Sequence, residues 1–311
     1  MSTIEKALAK LKEKQQNSVD TSAGNETVEP AQEPVKTDAV DSQQPAQQNT
    51  DGTNQKDDMD GAQFGKALTI PLDVLDEAGY VSLSSKRKLI NEELRAIKRR
   101  VLSNAFGPIS DTLDASNLVT VTSTSPQEGK SFTSINLALS IALEQDKTVL
   151  LVDADVLKPS VTKKLQIEEQ VNEGLMDYLL GDVDDVRDII YRTNVENLRF
   201  IPAGKSSHLS TELLASERMA QLALEFVSRY PDRVVVMDAP PLLGINETVV
   251  LANLSGQIIV VVEEESTKVA GLKQAIEQLD KDKAIGFVVN KTKKNNSVTG
   301  YGYAYAYANH K

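Results

Sequence analysis

The feature that most limits the possible folds is a series of short, almost wholly apolar runs. They recur along residues 117–291 as "NLVTVTS", "KTVLLVDAD", "NLRFIPAG", "RVVVMDAP", "QIIVVVEEE" and "AIGFVVNK". Runs of this kind are typical of strands buried on both faces of a sheet. Stretches with helical spacing of apolar residues, such as "SFTSINLALSIALEQ" and "TELLASERMAQLALEFVSRY", separate them. Before the first run, Ile90, Leu94, Ile97 and Val101 form one apolar stripe of a further predicted helix. Because strands and helices alternate, we expect an α/β fold with a mostly parallel sheet flanked by helices.

The rest of the chain divides by composition. Residues 1–14 place Ile4, Leu8 and Leu11 at helical spacing, which predicts a short amphipathic helix. Residues 15–66 are rich in Gln, Asp, Thr and Pro, and they bury too little apolar surface to offset the entropy of ordering. We therefore expect a disordered acidic linker over 15–66, one ordered domain over 67–295 and a flexible tail over 296–311.

Bulk composition excludes several classes of function. The 311 residues include no cysteine, which excludes disulfides and thiolate metal sites and fits a cytoplasmic protein. The net charge of −11 argues against broad affinity for nucleic acid, so we expect no nucleic-acid partner. The apolar runs are far shorter than the roughly 18–20 residues that span a bilayer. Any membrane role is therefore expected to depend on a partner or a surface helix.

A phosphate-binding loop is predicted after the first long strand. In "TSTSPQEGKSFTS", Gly129, Lys130 and Ser131 match the end of G-x-x-x-x-G-K-[ST], although Thr124 replaces the first glycine. Backbone N–H groups at a strand-to-helix turn bind phosphate oxygens, the lysine reaches the β- and γ-phosphates, and the hydroxyl ligates Mg²⁺. The predicted nucleotide contacts are Ser125, Pro126, Gln127, Glu128, Gly129, Lys130, Ser131 and Phe132.

Acidic residues follow two of the predicted strands. Asp153 and Asp155 end "VLLVDAD", and Asp238 ends "VVVMD". Parallel strands end at one edge of the sheet, where ligands collect, and hard oxygen ligands suit Mg²⁺. We predict that Ser131, Asp153 and Asp238 ligate Mg²⁺, and that Lys130 and the three aspartates form the catalytic set. If the strand continues, Asp153 and Asp155 share a face; which aspartate is the general base stays open.

A late strand carries a further candidate contact. Asn290 and Lys291 follow "GFVV", at the position where related folds hold the nucleotide base. Guanine-binding proteins use N-K-x-D there, but Lys293 replaces the acid. We therefore expect ATP as the nucleotide and Asn290 as one of its contacts.

The motifs "SPQEGKS", "VLLVDAD", "VVVMDAPP" and "LLGINETVVLA", together with the terminal tyrosines, resemble the bacterial tyrosine kinases of capsule and exopolysaccharide synthesis. The organisation looks most like a free-standing cytoplasmic autokinase of the exosortase-associated type. The resemblance implies a P-loop NTPase fold, ATP and Mg²⁺ as cofactors, and protein-tyrosine autokinase activity. It assigns Lys130 and Ser131 to the Walker A motif, Asp153 and Asp155 to the A′ motif, and Asp238 to the B motif.

The resemblance also implies partners. In that family an E-x-x-R-x-x-R helix joins subunits into a ring, and Glu92, Arg95 and Lys98 match it with one conservative change. The tail tyrosines of one subunit would be phosphorylated by its neighbour; these are Tyr301, Tyr303, Tyr305 and Tyr307. A membrane polysaccharide co-polymerase would activate the kinase, and a cognate tyrosine phosphatase would reverse it. Because that co-polymerase lies in the membrane, the resemblance also implies that this chain associates peripherally with the inner membrane.

Two departures keep other functions open. The A′ motif usually reads D-x-D-x-R, but Leu157 stands at the arginine position beside Lys158, which favours a catalytically inactive ATP-binding scaffold as an alternative. A positioning ATPase of the related P-loop branch is the other alternative. That branch has an extra lysine in the phosphate loop where this chain has Ser125, and it lacks a tyrosine tail.

Overall fold

The computed structural model describes residues 66–83 and 89–293. The predicted helix over 1–14, the linker over 15–66 apart from Lys66, and the tyrosine tail over 296–311 lie outside these residues. The predicted boundaries of the ordered domain, 67 and 295, therefore stay predictions.

The described residues contain eight strands and nine α-helices. The strands are β1 (Ala67–Leu68), β2 (Leu118–Ser123), β3 (Thr148–Asp153), β4 (Tyr191–Thr193), β5 (Leu198–Ile201), β6 (Arg233–Asp238), β7 (Gln257–Glu263) and β8 (Ala284–Asn290). The helices are α1 (Leu72–Glu77), α2 (Leu89–Phe106), α3 (Lys130–Ala142), α4 (Val161–Lys164), α5 (Leu175–Leu180), α6 (Ser210–Leu214), α7 (Glu217–Arg229), α8 (Asn246–Asn253) and α9 (Val269–Ile276).

One sheet contains all eight strands in the order β1-β4-β5-β3-β6-β2-β7-β8. Every neighbouring pair is parallel except β4 and β5, which are antiparallel. The α/β fold with a mostly parallel sheet is therefore confirmed. The two shortest strands were not predicted, because β1 has two residues and β4 three, too few for a periodic pattern.

The central strands are buried on both faces, as their apolar runs predicted. Val119 and Val149 face the layer that contains α2 and α3, whereas Leu118 and Leu150 face the opposite layer, which contains α5 and α7. Alternate side chains of one strand thus enter two separate cores. This packing fixes the carboxyl ends of β2, β3 and β6 in the middle of the sheet.

Helix α2 follows its predicted apolar stripe. Leu94 and Val101 are buried, and Ile90 and Ile97 pack partly buried against the same core.

A second predicted helical stretch, "TELLASERMAQLALEFVSRY", forms two helices instead of one. Ser216 separates α6 from α7, because its hydroxyl accepts a hydrogen bond from the Met219 N–H at 3.2 Å and so begins a new helix. Among the described helices, none is long and apolar enough to cross a bilayer.

Candidate nucleotide site

The predicted phosphate loop lies between β2 and α3, as expected. Helix α3 begins at Lys130, and its first turn has no side-chain cap, so its N–H groups are available to an anion. Gly129 precedes it with φ of 103°, in the left-handed region. Ser125, Pro126 and Gln127 are exposed on the outer side of the loop. The backbone therefore has the form that binds phosphate at a helix N-terminus.

Glu128 holds this loop from inside, a role that the motif did not predict. Its buried carboxylate accepts hydrogen bonds from the Thr124 hydroxyl at 2.6 Å and from the Ser125 N–H at 2.8 Å. The Thr267 hydroxyl donates a third at 2.5 Å from the turn after β7. Thr124, which replaces the usual first glycine, thus contributes to loop shape through its side chain. The side chain of Glu128 therefore supports the loop.

Asn290 fastens the other side of the loop. Its side-chain amide donates to the Glu128 carbonyl at 2.9 Å. A Cβ atom at Gly129 would lie 1.9 Å from the same amide nitrogen, so only glycine permits this contact. Asn290 therefore lies beside the phosphate loop, and its predicted contact with the nucleotide stays a prediction.

Lys130 extends into a buried cluster of carboxylates. Its Nζ lies 2.5 Å from Asp155 Oδ2 and 3.7 Å from Asp238 Oδ1. Burial by itself would lower the pKa of Lys130, but attraction to Asp238 and Asp155 outweighs it, so the pKa is raised. The ammonium group is thus charged and held at the carboxyl edge of the sheet, where the phosphates of a nucleotide would lie.

Asp153 and Asp238 are the most deeply buried carboxylates of the cluster. They are register partners on β3 and β6, and both are fully buried. Burial, followed by repulsion from Asp238, raises the pKa of Asp153 well above its ordinary value. Burial also raises the pKa of Asp238, and the charge of Lys130 partly opposes this. Burial and mutual repulsion therefore both disfavour the ionised forms of these two carboxylates in the folded protein.

These residues fit a divalent cation. Asp153 Oδ1 and Asp238 Oδ2 are buried, and neither has a hydrogen-bond partner within 66–83 and 89–293. Ser131 is buried nearby, and its hydroxyl oxygen accepts from Ser160 at 2.9 Å. Across the described part of the chain, no three His, Cys, Asp or Glu side chains form a metal-binding group. Mg²⁺ needs only one or two carboxylates when phosphates and waters complete its shell, so this donor set suits it.

The structure decides the question that the sequence left open for Asp155, namely whether β3 continues beyond Asp153. Strand β3 ends at Asp153, so Asp155 lies in the following loop and does not share a strand face with it. The chain turns there, because Asp155 Oδ1 accepts from the Lys158 N–H at 3.1 Å. Asp155 still reaches the cluster through Lys130. Leu157, at the arginine position of the A′ motif, is 43% exposed, and Lys158 is exposed beside it.

The remaining predicted residues lie on or near α2. The Phe132 ring packs 5.0 Å from the Tyr80 ring, so its side chain belongs to the core beside α2. Glu92 and Arg95 form an ion pair at 2.8 Å. Lys98 is buried and pairs with Glu144, which follows α3. Their predicted role between subunits is not tested by a single chain.

The chain was compared with known proteins. The sequence model of the AAA domain family matches residues 119–291. Tyrosine-protein kinase YwqD of Bacillus subtilis is 30% identical over 216 residues, which cover 69% of this chain and 86% of YwqD. EpsB of Ralstonia nicotianae is 35% identical over 188 residues, which cover 60% of this chain but only 24% of EpsB. This chain thus spans about a quarter of EpsB.

A solved structure agrees with these relatives. The chimerical protein CapA2B2 matches with a TM-score of 0.60 at 25% identity, covering 74% of this chain and 96% of that chain. The match with YwqD extends over most of that protein, and the AAA match covers more than half of this one. The chain therefore belongs to the family of bacterial tyrosine-protein kinases, built on an AAA-type P-loop domain.

Proposed function

We propose that this protein is an ATP-dependent protein-tyrosine kinase that phosphorylates its own C-terminal tyrosines. The observation that carries the proposal is the position of Lys130, charged and buried between Asp155 and Asp238 at the end of the phosphate loop. Of the two alternatives, the positioning ATPase is disfavoured because Ser125 replaces that branch's extra lysine. The relatives named as tyrosine-protein kinases favour the kinase over both alternatives.

In this proposal, the residues of the site have separate roles in phosphoryl transfer. The loop N–H groups from Gln127 to Ser131 bind the phosphates, and Lys130 moves from its carboxylates toward the transferred group. Ser131, Asp153 and Asp238 would hold Mg²⁺, which supplies charge neutralisation for the phosphates. A tyrosine phenol forms the new O–P bond as the bond to ADP breaks. Its proton passes to a carboxylate of the cluster, and Asp153, Asp155 and Asp238 are the candidates.

The acceptors proposed are Tyr301, Tyr303, Tyr305 and Tyr307. Four of the eight tyrosines of the chain lie among the described residues. Tyr80 and Tyr191 are buried, so a kinase site cannot reach them without unfolding. Tyr178 lies under Arg218, 4.4 Å from its ring centroid, and Tyr230 lies similarly 3.7 Å from Arg233. The surroundings of the four described tyrosines therefore disfavour them as acceptors, which supports the proposal that the tail tyrosines are phosphorylated.

The wider role proposed is control of exopolysaccharide or capsule polymerisation and export. Relatives named CpsD and CapB, and the chimerical CapA2B2, support this context. In this proposal the chain works in the cytoplasm and associates peripherally with the inner membrane through a polysaccharide co-polymerase that activates it. It assembles into a ring through Glu92, Arg95 and Lys98, each tail is phosphorylated by a neighbour, and a cognate phosphatase resets the cycle.

The test measures phosphotyrosine and ADP together. Purified full-length protein is incubated with ATP and Mg²⁺, with and without EDTA, beside Lys130→Met and the control Lys164→Met, an exposed lysine of α4. A kinase gives phosphotyrosine that EDTA and Lys130→Met abolish and Lys164→Met does not. ADP formation without phosphotyrosine would identify a positioning ATPase, and neither product, even when the cytoplasmic segment of the proposed co-polymerase is added, would identify a scaffold. Either of these two results overturns the proposal.

A further inference from the structure

Strand β8 is the last strand at its side of the sheet, and no described strand pairs with its outer edge. Its inner edge pairs with β7 along seven residues. The Ala284 N–H donates to Gly256, and the Asn290 carbonyl accepts from Glu264, so the even-numbered backbone groups point toward β7 and its flanks. Because successive residues alternate, the N–H and C=O groups of Ile285, Phe287 and Val289 point outward. Such an edge is a template for another strand.

Two of these three residues expose apolar side chains, whereas Ile285 packs against the core under α8 and α9. Phe287 is 50% exposed and Val289 is 56% exposed. They are register partners of Val260 and Val262 on β7, which are buried beneath α8 and α9. The first residue of α9, Val269, is 68% exposed. The apolar layer on this side of the sheet therefore continues beyond the helices that cover it.

The chain itself has a segment that matches this edge. Residues 301–307 read "YGYAYAY", seven residues like β8, and they follow Asn290 after a ten-residue connection. Their period of two places all four phenols on one face of an extended strand. We propose that residues 301–307 pair with β8 of the same chain as an antiparallel ninth strand, with the tyrosine rings covering Phe287 and Val289.

The tail of the same chain is the favoured occupant of this edge, because it is covalently attached to the strand that it would cover. A short connection gives an effective concentration in the millimolar range, well above that of a second copy in a dilute solution. Only a register that sets tyrosines opposite odd-numbered residues of β8, such as Tyr303 opposite Val289, buries the rings on the apolar face. The alternative parity places them on the face of Gly286 and Val288.

If the proposed kinase activity holds, docking of the tail on β8 would control when its tyrosines can be phosphorylated. A tyrosine in the ninth strand is withheld from a kinase site. Each phosphate adds about −1.5 to −2 charges, so phosphorylation disfavours return to an apolar edge. The docking itself needs no ATP, so its test does not depend on the activity.

Disulfide cross-linking tests the pairing directly, since the natural chain has no cysteine. Val289→Cys is combined with one cysteine at each position from 301 to 306 in the full chain, without nucleotide and at low protein concentration. We expect intramolecular cross-links several-fold stronger at one or two tyrosine positions than at the intervening Gly and Ala positions. Equal yields at all six positions, or covalent dimers alone, would overturn the proposal.

Hydrogen exchange supplies a second readout with an internal control. Removing residues 296–311 should speed exchange of the outward amides of Ile285, Phe287 and Val289 by at least tenfold. The amides of Gly286 and Val288 point toward β7 and should not change. Unchanged exchange at the outward amides would refute a ninth strand. Protection that survives removal of the tail and grows with protein concentration would assign the edge to a second copy and equally refute it.

Discussion

Asp153 and Asp238 face each other as register partners on adjacent parallel strands, and both carboxylates are wholly buried. With Asp155, three buried acids surround the single buried Lys130, so the site would have an excess of negative charge if all three were ionised. Repulsion from Asp238 adds to burial in raising the pKa of Asp153. Such an arrangement costs stability in the empty protein and becomes favourable when a cation binds, which is how binding sites commonly differ from cores.

Replacing Asp153 with asparagine should therefore stabilise the nucleotide-free protein while abolishing phosphotyrosine formation. The oxygen of the new side-chain amide can still accept the hydrogen bond that Val161 N–H donates to Asp153 Oδ2 at 3.1 Å. We expect a gain of roughly 1–2 kcal/mol in the free energy of unfolding. At about 2–4 °C per kcal/mol for a domain of this size, a thermal melt resolves it. A lower melting temperature would contradict this reading of the pair.

The pH dependence has a definite sign. The folded pKa of Asp153 is raised above its unfolded value of about 3.9, so the folded state binds more protons between those two values. The stability contribution of this group is therefore largest at low pH and falls as pH rises through that window. Asp153→Asn should flatten this fall in urea melts, whereas Asp146→Asn, on an exposed residue, should not.

A second prediction concerns the turn after β7. Thr267→Val removes the hydroxyl that donates to Glu128 at 2.5 Å and leaves a side chain of similar size. The Glu128 carboxylate then loses one of the three groups that donate hydrogen bonds to it, and we expect the KM for ATP to rise several-fold with a smaller change in kcat. Steady-state kinetics measures both. The control is Thr211→Val, whose hydroxyl donates to the neighbouring Glu212. Equal KM values for the two variants would show that Thr267 does not shape the loop.

How much of this site the sequence could predict depends on the range of the interactions. Lys130, Ser131 and Asp238 were placed correctly because a local motif or a strand end defines them. Glu128 was predicted as a nucleotide contact, but its clamp with Thr267 joins residues 139 positions apart, and no local pattern reports such a contact. Whether β3 continues to Asp155 was left open, because an apolar run does not show where the last ladder bond lies. The helix break at Ser216 had a local signal, a serine before "ERM", which the apolar periodicity obscured.

The predicted subunit interface separates into two kinds of residue. Glu92 and Arg95 pair with each other at the surface, and an exposed pair of this kind contributes about 1 kcal/mol or less to stability. Lys98 instead joins α2 to Glu144, so it contributes to the fold of one chain. The double variant Glu92→Ala with Arg95→Ala should reduce the oligomer mass in sedimentation at an unchanged melting temperature, whereas Lys98→Ala should lower the melting temperature. An unchanged oligomer in the double variant would eliminate this interface.

The last prediction concerns the tail as acceptor. Changing Tyr301, Tyr303, Tyr305 and Tyr307 together to phenylalanine keeps the rings and removes every hydroxyl that can accept phosphate. Phosphotyrosine should nearly vanish, while binding of ATP, measured by calorimetry, should not change because the nucleotide site lies elsewhere. The matched control changes Tyr178 and Tyr230, the two partly exposed tyrosines of the described domain, to phenylalanine and should retain the phosphotyrosine signal.

The same phenylalanine variant shows whether the charge of the phosphorylated tail controls the assembly of subunits. Full phosphorylation would add roughly −6 to −8 charges within seven residues, and the resulting repulsion should disperse any ring that the tails hold together. The phenylalanine variant cannot acquire this charge, so its oligomer should persist in ATP when the wild-type oligomer dissociates in sedimentation. Phosphate that maps instead to Tyr178 or Tyr230 would show that the tail is not the acceptor. Dissociation of the variant in ATP would show that nucleotide binding, and not tail charge, controls assembly.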